Sequence, residues 1–272
     1  MTSTDSNTEV WDDALLRDPH IVADKRNRVR KMFAAIAPSY DLNNRLHSLW
    51  MDQSWRKKAV KLSDLQPGDV VLDVACGTGD LTLKFARKLW NISAGRDPKI
   101  RQVIGLDFTF EMLPIARQKS AGFAVQPQQS IADRQTVLWL NGDAMRLPLP
   151  DQTANVISIA FGIRNVADPA IALQEFYRVL RPGGRVLILE FSLPSNPILR
   201  GLYNFYFRKV LPRTATLISG DKTGAYKYLP ESVNTFIGRE KMMEMMRNAG
   251  FEQVENTAMT FGICVCYRGL KR

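Results

Sequence analysis

A glycine loop flanked by carboxylates holds the residues of this sequence that are best suited to chemistry. It reads Asp-Val-Ala-Cys-Gly-Thr-Gly-Asp from Asp73 to Asp80, directly after a short apolar run. Gly77 and Gly79 allow the backbone to turn sharply and to approach a ligand closely. Negative charge at both ends disfavours a pyrophosphate and favours a cationic ligand with an amine and a ribose. Taken alone, the loop is also explained by a tight turn without a ligand.

Two further carboxylates follow predicted strands. Asp107 ends the run Gly-Leu-Asp, where a carboxylate can accept hydrogen bonds from both hydroxyls of a ribose. Asp143 lies in Asn-Gly-Asp-Ala after the next strand, where it can accept a hydrogen bond from an adenine amino group. Either aspartate alone can be the N-cap of the following helix. Three acidic strand ends in series instead predict a site for an adenosine-containing ligand.

Alternating strand and helix patterns must position these residues. Short apolar runs predict strands at 69–75, 102–108, 136–140, 154–161 and 185–191. Helical spacing of apolar residues predicts the intervening helices. This alternation predicts a doubly wound, Rossmann-like α/β fold with a mostly parallel sheet. The runs 251–258 and 261–267 have no helix between them, so we expect seven strands with an antiparallel strand at the edge.

The remaining segments suggest how the chain is organised. Residues 1–22 are polar and acidic and predict a flexible tail, whereas 23–272 form one domain. Helical regions at 24–37 and 42–62 predict a cap over the site. The aromatic and basic segment 194–238 follows the fifth strand, and we interpret it as an insertion or lid. The stretches 91–99 and 121–135 are longer than a simple loop requires and predict surface inserts.

Composition limits the possible functions. The 272 residues carry a net charge of +10, which suits a nucleic acid, an anionic membrane or an anionic ligand. The basic residues are dense only at 25–31 and 56–61, where solvated helix faces are the simpler explanation. Three cysteines and two histidines without ligand spacing predict neither a disulfide framework nor a metal site. The sequence shows no apolar run near the ~20 residues of a membrane span and no secretory signal, so we expect a cytoplasmic protein.

Together these features resemble a class I S-adenosylmethionine (SAM)-dependent methyltransferase. Three segments are similar to the UbiE/MenG family, the C-methyltransferases of ubiquinone and menaquinone biosynthesis: YDLNN at 40–44 with Trp55, FGIRN at 161–165, and RVLRPGGRVLILEFS at 178–192. The resemblance covers the chain from Lys31 onward. One difference is Asp52, at a position where the family often has a histidine. Another is Ala160, where some members have a serine.

The resemblance implies SAM as the cofactor and assigns residues to three roles. The cofactor contacts it implies are in the glycine loop and at two strand ends, namely Asp73, Gly77, Thr78, Gly79, Asp107, Asp143 and Ala144. The catalytic residues are Arg164, Asn165 and Asp143, and Tyr40, Asn44 and Arg164 line the substrate pocket. The Arg164 guanidinium stays charged and can stabilise a phenolate oxygen. The proton would leave through water to Asp143 or to solvent.

The implied reaction converts a reduced polyprenylated quinone precursor, such as demethylmenaquinol or its ubiquinol-pathway equivalent. We expect the insertion to contact the inner face of the membrane, where the prenyl tail resides, or only to cap the sheet. The alternatives are a class I methyltransferase that acts on RNA or another small molecule, and a SAM-binding module without activity. No nucleic-acid partner is expected, because no RNA-binding module is visible. The oligomeric state stays open, with a homodimer among the options.

Overall fold

The structure is a computed structural model that describes residues 10–93, 102–121 and 137–272. Most of the two predicted surface inserts, 91–99 and 121–135, lies outside the described residues. One seven-stranded sheet, in the order β3-β2-β1-β4-β5-β7-β6, organises this part of the chain. Its strands are β1 (Val70–Val74), β2 (Gln102–Asp107), β3 (Val137–Asn141), β4 (Ala154–Ala160), β5 (Leu180–Phe191), β6 (Glu252–Met259) and β7 (Cys264–Leu270).

The predicted doubly wound α/β fold is confirmed, with a correction at one edge. Strands β1 to β5 pair in parallel, whereas β7 pairs antiparallel with both β5 and β6. The antiparallel strand is therefore not the edge strand, as the sequence predicts, but the one beside it. The chain reaches the outer position first with β6 and then returns between β6 and β5. The short Thr260–Gly262 turn joins the two strands.

Helices cover both faces of the sheet. They are α1 (Lys25–Ile36), α2 (Tyr40–His47), α3 (Met51–Leu62), α4 (Asp80–Ile92), α5 (Met112–Ala121), α6 (Pro169–Val179), α7 (Pro197–Phe205), α8 (Leu211–Ser219), α9 (Ala225–Asn234) and α10 (Arg239–Asn248). Alternate strand residues point to opposite faces. Accordingly, Leu72 packs in a core with α6 and α10, while its neighbour Val71 packs in a second core with α3 and α4.

Two local features differ from the sequence expectation. The helical region predicted at 42–62 is interrupted, because Leu49 and Trp50 have positive φ angles of 50° and 64° that end α2 before α3 begins. The Pro-Gly-Gly segment at 182–184 does not precede β5 but lies inside it. The pairing of β4 with β5 shifts register there, between the pairs that start at Ala154 and Val156.

A third core joins the N-terminal segment to the insertion. Trp11 is fully buried, and its ring centroid lies 4.5 Å from that of Tyr228 in α9. Leu16 and α1 pack into the same cluster as Phe207 and Leu211 of the insertion. The described residues 10–22 are therefore not the flexible tail that their polar composition predicts. A few apolar side chains in this polar stretch are sufficient to anchor it, and residues 1–9 lie outside the described chain.

Candidate active site

A cavity with an empty volume of about 770 Å³ opens at the carboxyl ends of β1, β2 and β4. We call it the first cavity. Its lining includes the predicted residues Gly77, Asp107, Asp143 and Ala144, together with Ala160 at the end of β4. The position is the one at which open α/β sheets bind ligands. The strand ends thus bring together the residues that the sequence predicts to hold an adenosine.

Asp107 fixes the glycine loop against the end of β2. One carboxylate oxygen accepts the Gly77 N–H at 2.7 Å, and the other accepts the Thr109 N–H at 2.7 Å. Burial raises the pKa of Asp107 to about 6, although these hydrogen bonds from Thr109 and Gly77 lower it. Each oxygen keeps a second lone pair, and the residue lines the cavity. The carboxylate is therefore placed to accept two hydroxyls from a ligand.

Helix α1 covers the first cavity at Asp143. Arg26 donates to one oxygen of this carboxylate at 2.7 Å, while the Met145 N–H binds the other at 2.9 Å. The Arg26 guanidinium also lies 4.6 Å from the ring centroid of Phe108. Arg26 has no role in the sequence-based prediction, in which the basic cluster at 25–31 is a solvated helix face. The sequence does contain a signal for this contact, because Arg26 lies one helix turn before the apolar residues of α1 and so on the same side of the helix.

Asp73 supports the glycine loop through hydrogen bonds inside the protein and does not line the first cavity. Its two oxygens accept the hydroxyls of Ser158 and Thr82, both at 2.6 Å, and the side chain is buried. Burial raises the pKa of Asp73 to about 6, against the lowering effect of these two hydrogen bonds. Asp73 thus links β1, β4 and the first turn of α4. It lines only a small pocket beside the loop.

Thr78 and Asp80 connect the loop to the N-terminal cap. The Thr78 hydroxyl donates to Asp41 of α2 at 2.6 Å. Lys119 of α5 binds both Asp41 and Asp80, and Arg45 of α2 binds Asp80 at 2.9 Å. Although burial raises the pKa of Asp80, the charges of Lys119, Arg56 and Arg45 lower it to about 2. This network holds α2 over the glycine loop.

The second glycine of the loop is required by geometry. Gly79 has φ +83° at the start of α4, a conformation that favours glycine. A Cβ at this position would lie 2.5 Å from the Trp139 ring of β3. Trp139, on a strand two positions away from β1 in the sheet, therefore occupies the space that a side chain at position 79 would need.

A second cavity, with an empty volume of about 620 Å³, adjoins the first. Phe33, Tyr40 and Phe161 line both cavities and form the wall between them. The predicted pocket residue Asn44 lines the second cavity beside Tyr40, where burial raises the pKa of Tyr40 and the Asn44 side chain lowers it. The other lining side chains are mainly apolar or aromatic and come from α1, β5 and α9. This composition suits an aromatic ring with an apolar substituent.

Arg164 lies at the second cavity, where its charge is balanced within the protein. Nη1 donates to Glu190 at 2.7 Å and to the Phe161 carbonyl at 2.8 Å, and Nε donates to Ser232 at 3.3 Å. Nη2 has no hydrogen-bond partner among the described residues. Asn165 accepts the Tyr228 hydroxyl at 2.9 Å and lines the first cavity. Both predicted residues therefore brace the insertion against the end of β4.

The structure adds a pair that the sequence analysis did not assign to the site. Asp52 and Arg56, on successive turns of α3, are buried and line the second cavity. Asp52 accepts hydrogen bonds from Ser48 and Gln53, and it lies 3.8 Å from Arg56 Nε. Asp52 is the one carboxylate among the lining residues of this cavity. Asp143, predicted as a proton acceptor, lines the first cavity and is not among the lining residues of the second.

Asp73 predicts a pH dependence of stability. Its pKa is about 6 in the folded chain and about 3.9 when unfolded, so the folded state binds more protons between these values. The unfolding free energy therefore falls as pH rises from 4 to 6. Asp73→Asn avoids burying the charge. We therefore expect its unfolding free energy, relative to that of the wild type, to rise by about 2–3 kcal/mol between pH 4 and pH 6. Denaturant unfolding at both pH values measures it.

The exposed Asp13→Asn variant is the matched control, since its side chain is 92% exposed. It should show the same difference from wild type at pH 4 and at pH 6. If the gain of Asp73→Asn is equally constant with pH, the ionised carboxylate is not the source of the cost.

Two negative findings concern the described residues only. Among them, no group of three or more His, Cys, Asp or Glu side chains is arranged to hold a metal ion. Likewise, within residues 10–93, 102–121 and 137–272, no helix is both long and apolar enough to cross a bilayer.

Solved structures share this fold. A SAM-dependent methyltransferase from Thermotoga maritima, a possible histamine N-methyltransferase, superposes with a TM-score of 0.56 at 22% identity, covering 90% of this chain and 100% of the other. The putative methyltransferase in complex with the Trm112 activator of Haloferax volcanii gives 0.57 at 18% identity, covering 88% and 96%.

Curated relatives match at much higher identity. The ubiquinone/menaquinone biosynthesis C-methyltransferase UbiE of Geobacter sulfurreducens is 41% identical over 252 residues, 92% of this chain and 91% of the relative. The demethylmenaquinone methyltransferase of Deinococcus radiodurans is 41% identical over 249 residues, 92% and 95% of the two chains. The ubiE/COQ5 methyltransferase family model matches residues 21–271. With the glycine loop, the strand-end carboxylates and this match in place, the chain belongs to the ubiE/COQ5 family of SAM-dependent methyltransferases.

Proposed function

We propose that this enzyme methylates a ring carbon of a reduced, polyprenylated quinone precursor. The observation that carries the proposal is the pair of adjoining cavities with a shared aromatic wall. The first suits an adenosine, and the second is apolar, aromatic and lined by one carboxylate. The names of the relatives, a C-methyltransferase of ubiquinone and menaquinone biosynthesis and a demethylmenaquinone methyltransferase, support this acceptor.

The residues of the first cavity fit SAM. Asp107 offers its remaining lone pairs to two ribose hydroxyls, and we assign the adenine edge to Asp143 and Ala144, which line the same cavity. The Gly77 backbone, which lines both this cavity and the small pocket at the loop, gives close approach for the amino-acid end of the cofactor. SAM supplies a methyl group on a positively charged sulfur, and all other functions fall to the protein.

Carbon is a weak nucleophile, so the protein must make the ring electron-rich. A hydroquinol ring gains this character when a phenol next to the reacting carbon loses its proton. Asp52 is the carboxylate in the second cavity, and we assign it the role of accepting that proton, directly or through a water. This replaces Asp143, which lies in the other cavity. The ring carbon takes the methyl group as its bond to sulfur breaks, the C–H proton at that carbon then passes to solvent, and the ring oxygen takes its proton back from Asp52, so one proton is released overall.

Arg164 is our candidate for the phenolate oxygen. Because Nε and Nη1 are already bound, Nη2 is the nitrogen left for a ring oxygen. Glu190 and the Phe161 carbonyl hold the guanidinium in one orientation, so the donor is preorganised. Asn165 keeps the Tyr228 hydroxyl in place at the same end of the cavity. These assignments make Arg164 a catalytic residue and Asn165 a positioning residue.

Substitution of Asp52 tests the proton acceptor. We expect Asp52→Asn to lower kcat by about 100-fold or more, the typical contribution of general base catalysis, and to leave SAM affinity in place. Asp52→His should restore part of the rate and add a loss of activity below pH ~6.5, where the imidazole becomes protonated. Rates measured between pH 5.5 and 8.5 test both variants. Full turnover by Asp52→Asn would exclude this residue as the base.

The acceptor class is tested by methyl transfer from labelled SAM. Purified protein is offered a demethylnaphthoquinol, a demethylbenzoquinol, their oxidised quinones and bulk RNA. We expect label in a reduced quinol and not in the quinones, because only the hydroquinol can form a phenolate. Labelled RNA with unlabelled quinols would instead favour the alternative acceptor, and SAM binding without any transfer would favour a binding module.

We propose further that the insertion docks the enzyme on the inner face of an anionic membrane. Ile198, Leu202 and Phe205 follow helical spacing along α7 and are 65–73% exposed. Lys209 and Arg213 are exposed on the next turns. An apolar stripe beside basic side chains suits the surface of a bilayer with anionic lipids. Tyr226 and Leu229 of the same insertion line the second cavity, so the insertion carries both the proposed membrane contact and part of the substrate pocket.

Vesicle co-sedimentation tests the docking surface. Wild-type protein should bind vesicles containing anionic lipid at low salt, and Leu202→Glu with Phe205→Glu should reduce binding strongly. Ile171→Glu is the control, because Ile171 is an exposed apolar residue of α6 outside the insertion. If the wild-type protein stays in solution, or if the control loses binding equally, α7 is not a membrane contact.

A further inference from the structure

Arg56 is a buried cation with an incomplete set of partners. Arg56 is 7% exposed, and its Nε is buried without a hydrogen bond to any described residue. The nearest carboxylate oxygen, in Asp52, lies 3.8 Å from Nε, which is beyond hydrogen-bond range. The guanidinium also lies 4.9 Å from the ring centroid of Phe161. A buried guanidinium normally has close charged partners, so this arrangement leaves room for an anion.

The surroundings of Arg56 show where that anion would lie. Besides the second cavity, Arg56 lines a small pocket against the glycine loop, together with Gly77 and Thr78. The other charged residues of this pocket are Asp73 and Asp80. Arg56 is therefore the single cation among the described lining residues of a pocket that is otherwise acidic.

The neighbouring cations are already engaged. Arg45 and Lys119 bind Asp80 and Asp41, while Arg164 binds Glu190. Arg56 is thus the one basic side chain in the described lining of the loop pocket, and its closest carboxylate oxygen is 3.8 Å away. An anionic group bound in this pocket would have this guanidinium beside it.

We propose that Arg56 binds the carboxylate of the methionine end of SAM. That end carries one ammonium and one carboxylate. The loop pocket holds one guanidinium for the carboxylate, and Asp73 and Asp80, which also line it, give the ammonium acidic surroundings although both are already bound within the protein. A charge-assisted pair of this kind supplies both affinity and orientation. The inference rests on the SAM dependence of the family and not on the identity of the methyl acceptor.

Calorimetric binding of two nucleosides tests the proposal without any turnover. SAM carries the carboxylate, whereas decarboxylated SAM keeps the sulfonium and the amine but lacks it. We expect Arg56→Gln to weaken SAM binding by about 10- to 100-fold, the range for hydrogen bonds to charged groups, and to change binding of the decarboxylated compound by less than about 3-fold. Arg56→Lys, which keeps the charge but loses the planar fork, should give an intermediate loss of SAM affinity.

Lys57→Gln is the matched control, because it removes one positive charge from the neighbouring exposed position of α3. It should bind both nucleosides like the wild type. Retained binding of the decarboxylated compound by Arg56→Gln also shows that the variant is folded. Equal weakening of both nucleosides would make Arg56 structural. If Arg56→Gln keeps its SAM affinity but turns over more slowly, Arg56 acts on the methyl acceptor. Either of these two results overturns the proposal. If the variants show the expected binding pattern but the wild-type enzyme does not methylate a quinol, only the proposed acceptor is rejected and the role of Arg56 stands.

Discussion

The buried ion pair between Arg164 and Glu190 is the interaction on which the second cavity depends. It joins the end of β4 to the end of β5, and through Ser232 it reaches the insertion. Burial raises the pKa of Glu190, against the lowering charge of Arg164, so neither partner is tolerated alone. Because the two burial costs are offset by mutual attraction and by hydrogen bonds to Phe161, Phe191 and Ser232, the geometry is fixed. The same pair that shapes the pocket leaves one guanidinium nitrogen for a ligand.

The glycine loop follows the opposite principle and accumulates negative charge. Asp73, Asp80 and Asp107 surround it, and burial raises the pKa of the first and last to about 6. A protein that needed only a tight turn would not accept this cost. The concentration of acid makes sense for a ligand that carries a sulfonium and an ammonium. The raised pKa values of these buried carboxylates therefore mark the ligand site, because their charge is costly to the folded protein.

The strand ends were predictable from sequence, and the pairing of side chains was not. Buried apolar runs followed by acids located Asp107 and Asp143 at one sheet edge, because parallel strands end together. No pattern in the sequence shows that Arg26 reaches Asp143 across the cavity, or that Glu190 meets Arg164. Those contacts join residues far apart in the chain. Asp52 was noticed only as a departure from its family, and its burial beside Arg56 gave that departure a chemical meaning.

The shared wall of Phe33, Tyr40 and Phe161 has a consequence for turnover. Aromatic rings attract cations through their electron-rich faces, and the attraction disappears when the charge is lost. A SAM sulfonium at the junction of the two cavities would lie beside this wall, and methyl transfer would remove its charge. The wall would then favour the charged reactant over the neutral thioether, so the partition between the two pockets would contribute to discrimination against the spent cofactor.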